Sequence, residues 1–179
     1  KIEYNCGVVA VASGVGLEEI FKEMGVSQIV SGGQTMNPSA EDILNAINKT
    51  PANEIIILPN NSNIILAAQQ AQKMVDKPVF IVETKFMLQG VSALMGYNPD
   101  GSGEENLEAM TESFQYTKTA GITYAVRDSR FGDQEIHKDD ILGLVGKDIA
   151  VVTDTIGKAV MSVLEQMMDD ESGLITMLY

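Results

Sequence analysis

Tryptophan is absent, cysteine and histidine occur once each, at Cys6 and His137, and aromatic residues make up 6% of the 179-residue chain. A single cysteine excludes an intrachain disulfide framework, and one cysteine beside one histidine leaves no Cys/His set for zinc. Basic residues are scarce as well: 12 Lys and Arg stand against 25 Asp and Glu, for a net charge of −13. That balance argues against nucleic acid and anionic membrane as standing partners, because counterion release needs clustered Lys and Arg. No apolar run approaches the length that spans a bilayer, so no integral membrane segment is expected. There is no secretory pattern at the start, and a reducing, cytoplasmic setting is the simplest expectation. Lys1 rather than Met stands first, which points to a piece of a longer protein.

What is present is an ordinary globular composition, 45% apolar and 21% charged, with length enough for one sizeable core and a smaller attached unit. Cys6-Gly7-Val8-Val9-Ala10-Val11-Ala12 is a continuous apolar run, as expected of a strand buried on both faces of a parallel sheet. Gln28-Ile29-Val30, Glu54-Ile55-Ile56-Ile57-Leu58 and Pro78-Val79-Phe80-Ile81-Val82 repeat the pattern. Each is followed by a polar turn and then by apolar residues at helical spacing, for example Leu17, Ile20, Phe21 and Met24, or Ile43, Leu44 and Ile47. Four such repeats within about ninety residues predict an α/β fold with a doubly wound, mostly parallel sheet. In such a sheet the ligand site lies at the carboxyl ends of the strands.

The polar turns at that edge supply the candidate site. The central one, Ser31-Gly32-Gly33-Gln34-Thr35-Met36-Asn37-Pro38-Ser39, holds two glycines, amides and hydroxyls and no charge. Glycines admit close approach of a ligand to the backbone, and the helix that Ser39 caps, with Asp42 as its capping-box partner, offers free N–H groups to a carboxylate or phosphate. The same residues also suit an ordinary strand-to-helix turn, since Asn, Ser and Gly favour turns for backbone reasons alone. The candidate ligand-binding residues are Ser13, Gly33, Gln34, Thr35, Asn37, Ser39, Asn60 and Asn61. No catalytic and no metal residue is assigned. Ser13-Gly14-Val15-Gly16 lacks the third glycine of a dinucleotide fingerprint, where Glu19 stands, and no Gly-Lys-Ser/Thr follows. Ser13 is flanked by Val11 and Val15 where a nucleophile elbow needs glycines. His137 beside Asp139 and Asp140 reads as solvated surface rather than an acid/base or metal group. The frequent methionines read as core packing.

From Gly121 onward the texture changes. Ile122 to Arg127 alternates as a half-exposed strand does, Ile141–Val145 and Ile149–Val152 flank a turn at Gly146-Lys147-Asp148, a helix carries Ile156, Val160, Val163, Leu164 and Met167, and a last strand is expected over Leu174–Leu178. The expected division is 1–118 for the α/β domain and 119–179 for a second, smaller α+β unit.

Three stretches in order, Gly32-Gly33-Gln34-Thr35-Met36-Asn37-Pro38-Ser39, Ile56-Ile57-Leu58-Pro59-Asn60-Asn61 and Thr123-Tyr124-Ala125-Val126-Arg127-Asp128, resemble the C-terminal domain of the bacterial dihydroxyacetone kinase-like proteins understood as the ATP-binding component of fatty acid kinase. The resemblance covers nearly the whole chain and implies a DegV-like fold. It implies that ATP and magnesium are held by an N-terminal domain that no part of this chain resembles, and that the chain carries no cofactor itself. The implied role is a non-catalytic domain that docks the fatty-acid-binding, DegV-like partner subunit or supports assembly, including homo-oligomers, while the whole protein phosphorylates carrier-bound fatty acid to acyl phosphate. The alternative is a DegV-like domain that itself binds a small ligand such as a fatty acid. In the DegV-like carriers a Thr-Ser-Gln-Pro-Ser turn binds the carboxylate; Gln34 to Ser39 sits at the comparable place with a different motif.

Overall fold

The computed structural model describes residues 2–32, 36–146 and 148–177. The chain falls into two compact units, Lys1–Thr117 and Lys118–Tyr179.

In the first unit β1 (Tyr4–Ala12), α1 (Val15–Glu23), β2 (Gln28–Ser31), α2 (Ala40–Lys49), β3 (Ala52–Leu58), α3 (Ile65–Gln72) and β4 (Val79–Ile81) alternate, and α4 (Met87–Leu94) and α5 (Gly103–Gln115) follow. The four strands form one parallel sheet in the order β2-β1-β3-β4. Successive side chains of a strand point to opposite faces, so β1 and β3 serve two cores at once. Val9, Val11, Ile55 and Ile57 pack with Ile43 and Ile47 of α2 and Ala68 of α3. Cys6, Val8, Ala10, Ile56 and Leu58 pack with Phe21 of α1, Ala93 and Leu94 of α4 and Met110 of α5. Helices thus cover both faces. This is why the two central strands read as unbroken apolar runs, with each fully buried Ile or Leu contributing about 1.5–3 kcal/mol.

Helix starts are fixed locally. Ser39 opens α2 with a capping box: its Oγ accepts the Asp42 N–H at 3.1 Å, while the Asp42 carboxylate accepts the Ser39 N–H at 2.8 Å. Ser102 and Glu105 repeat the device at α5. The first N–H of α5, on Gly103, also donates to the Glu54 carboxylate on β3, tying helix to sheet.

The second unit holds β5 (Ala120–Tyr124), β6 (Ser129–Phe131), β7 (Gln134–Ile136), β8 (Ile141–Val145), β9 (Asp148–Thr153) and α6 (Ile156–Met167). An antiparallel sheet in the order β5-β8-β9 carries α6, and β6–β7 forms a separate hairpin. Gly143 of β8 permits close packing of α6, since a Cβ there would lie 2.6 Å from Val151 and 2.8 Å from Val163. Two details differ from the sequence expectation. The first strand ends at Tyr124 rather than Arg127, because the pairing slips there: the Ala125 N–H donates to the Asp140 carbonyl at 2.8 Å, but the Ala125 carbonyl accepts the N–H of Asp139, whose φ is 72°. The strand expected over Leu174–Leu178 is not formed: residues 172–177 are irregular, and Leu178 lies outside the described residues.

Candidate functional site: the carboxyl edge of the parallel sheet

Because β1 to β4 are parallel, the turns that follow them share one edge. The connection from β1 leads to one side, to β2, and that from β3 leads to the other, to β4, so the crevice expected of such a sheet lies between the carboxyl ends of β1 and β3. Ser13 and Asn60 stand at those two ends.

Asn60 occupies the crevice itself. It is 3% exposed and takes a left-handed backbone conformation, φ 54°, which Asn tolerates better than most residues. Its Nδ2 donates to the Val11 carbonyl at 2.9 Å, reaching from β3 to β1. Its Oδ1 accepts the hydroxyl of Thr84 at 2.8 Å, and its own N–H donates to the same hydroxyl at 3.0 Å. Thr84, in the turn after β4, is wholly buried. Gly90 of α4 closes the arrangement from above, for a Cβ there would overlap the Asn60 carboxamide. Buried polar groups need partners, and these have found them in one another. The carboxyl ends of β1 and β3 and the turn after β4 are therefore laced together by protein groups, in the place where a ligand would otherwise sit.

The other candidates are more open. Ser13 is exposed beside Gly14, whose φ of 95° turns the chain into α1. The Asn61 Oδ1 accepts the Asn63 N–H at 2.9 Å, an Asx turn leading to α3. Ser39 caps α2, and the two hydrogen bonds it gives Asp42, from hydroxyl and backbone, hold that carboxyl below its usual range. Asn37 is exposed. Gly33, Gln34 and Thr35 lie outside the described residues. His137 and Asp140 meet only through a turn, the His137 N–H donating to the Asp140 carboxylate at 2.8 Å. Among the described residues no group of His, Cys, Asp and Glu is arranged to hold a metal, and no helix is long and apolar enough to cross a membrane.

Beside this edge a groove of about 470 Å³ runs between β2 and α2. Its walls include Gln28 and Ser31 on the strand, Met36 and Asn37 on the loop, and Asn45 and Lys49 on the helix. Among the described residues β2 pairs with β1 alone, so its outer backbone groups face away from the sheet. Of the apolar wall residues Val30, Pro38 and Ala46 are buried, whereas Met36 is 68% exposed. The sequence places the turn Glu83-Thr84-Lys85 at this edge without singling out Thr84 as a site residue, and it passes over Gly90 and Met36. Only Met36 carried a signal, as the one large apolar residue in an otherwise polar loop.

A family model for the C-terminal region of FakA-like fatty acid kinase subunits matches residues 7–179. Protein YloV of Bacillus subtilis is 40% identical over 173 residues, 97% of this chain and 31% of that protein. Uncharacterized proteins of Staphylococcus aureus and Staphylococcus saprophyticus are 40% and 39% identical over 171 residues, 96% of this chain and 31% of each relative. The chain thus spans about a third of the length of these relatives. It belongs to the FakA-like C-terminal family of fatty acid kinase subunits.

Proposed function

We propose that this chain is a non-catalytic, DegV-like domain of the ATP-binding component of a fatty acid kinase, working in the cytoplasm, and that it docks the fatty-acid-binding partner subunit. In this reading ATP and magnesium belong to another domain of the whole protein, which phosphorylates the carried fatty acid to acyl phosphate. The observation that carries the reading is Asn60: its carboxamide fills the crevice at the carboxyl edge, which favours a domain that presents a surface over one that holds a small ligand. The groove beside β2, with Met36 at its rim and a free strand edge along it, is the surface we assign to docking.

Titration calorimetry with the fatty-acid-binding subunit tests this directly. Binding is expected, and Met36→Glu should weaken it about tenfold or more, as loss of an interface anchor does. Native mass spectrometry of the chain purified from cells separates the alternative. A bound fatty acid, together with no affinity for the partner subunit, would replace docking with the carrier reading. ATP turnover by the isolated chain would overturn both.

A further inference from the structure

Residues 174–177 of the second unit form an apolar segment that belongs to no strand among the described residues. Leu174 is 76% exposed, Ile175 49% and Met177 67%, and Thr176 between them is exposed as well. Leu, Ile, Thr and Met in succession suit a strand far better than a solvated coil, and exposing such a segment forfeits its hydrophobic gain.

The geometry before it is specific. β5 and β9 are each antiparallel to β8, so they run in the same direction. α6 leaves the carboxyl end of β9, crosses the sheet and finishes at the amino end of β5, where the Lys118 ammonium donates to the Met167 carbonyl at 2.8 Å and pairs with the Asp169 carboxylate. A tight turn follows. The Asp169 N–H donates to Ser172 Oγ at 3.1 Å, and the Glu171 N–H and the Ser172 hydroxyl donate to the Asp169 carboxylate at 3.1 and 2.9 Å. That turn reverses the chain at the foot of β5. Among the described residues β5 is an edge strand, bonded on one side to β8, and half of its N–H and C=O groups point away from the sheet.

We propose that Leu174–Met177 docks as a fourth strand on the free edge of β5, parallel to it, completing a β–α–β crossover from β9 through α6. The sheet then gains residues 174–177 beside β5, ahead of β8 and β9, and the occupant of the open edge is this segment of the same chain. When docked, Ile175 and Met177 fall on one face of the sheet and Leu174 and Thr176 on the other.

Hydrogen exchange resolved to single amides tests the proposal on the chain as it stands. As the new edge strand the segment turns alternate N–H groups to β5, so two of the amides of residues 174–177 should exchange about a hundredfold or more slower than random coil, and Ile175→Pro or Thr176→Pro, whichever removes a bonded donor, should abolish that protection and speed exchange along β5 but not along β9. All four amides exchanging at the random-coil rate in the unaltered chain would overturn it. So would a protected segment whose loss in the proline variant leaves β5 unchanged, because the segment would then be paired elsewhere. Should the proline variant unfold the unit, protection of β9 would vanish too, and Ile175→Ser, which keeps the N–H, then serves as the milder variant with the same two criteria.

Discussion

At the scale of single residues, Asn60, Thr84 and Gly90 act as one device. Thr84→Val keeps the shape of the side chain and removes the hydroxyl, leaving the Asn60 N–H and Oδ1 without that partner in a buried site. The expected cost is about 1–3 kcal/mol of stability, the usual penalty for orphaning a buried polar group. Gly90→Ala should also destabilise, by about 1–3 kcal/mol, although alanine is the better helix former, because its methyl strikes the Asn60 carboxamide. In an Asn60→Gly background that carboxamide is gone, and the cost of Gly90→Ala should shrink or change sign. Urea denaturation of the four chains measures this, and an unchanged penalty would mean that the clash lies elsewhere. Sequence alone marked Asn60 as a turn residue that could face a ligand, whereas its amide folds back onto Val11. An amide aimed at a ligand and an amide folded inward are the same letter, and only the approach of β1 and of the turn after β4 decides between them.

At the scale of elements, the capping boxes link helix starts to acidity. Asp42 and Glu105 are held below their ordinary values of 3.8 and 4.5, in each case by hydrogen bonds from the side chain and backbone of the capping serine. A folded-state value below the unfolded one means the contribution is complete above the unfolded value and is lost as pH falls through the folded one. Stability measured from neutral pH downward should therefore decline below about pH 4.5, and Ser39→Ala or Ser102→Ala should flatten that decline. At neutral pH Ser39→Ala should cost about 1 kcal/mol through the lost cap. A Ser39→Ala chain with an unaltered acid limb would refute the account. The box at Ser39 was legible from sequence, as were β1 to β4, because strands buried on two faces leave unbroken apolar runs and caps obey fixed spacing. The β6–β7 hairpin was not. Ser129-Arg130-Phe131 and Gln134-Glu135-Ile136 are exposed but for Ile136, so no alternation of apolar and polar residues announces them. The groove was equally silent, since it is made by the distance between an edge strand and a helix rather than by a run of residues.

At the scale of the whole molecule, both apolar clusters that pin helices to the parallel sheet lie within Lys1–Thr117. A chain of residues 1–117 should therefore fold alone and unfold in urea in one cooperative transition. A broad, probe-dependent transition would show that it needs the remainder. The same core carries the chain's single thiol. Cys6 lies in β1 with no exposed surface, and burial, aided by the charge of Glu54, pushes its pKa up to about 11. At neutral pH the sulfur is protonated, shielded and inert, and only the thiolate reacts with alkylating reagents. Covalent labelling can then proceed only in molecules whose central strand has momentarily come free. With one site and no competing thiol, the rate at which label enters Cys6 is a clock for the opening of the parallel sheet. The molecule carries this clock without an added probe, and Thr84→Val and Gly90→Ala should make it run faster.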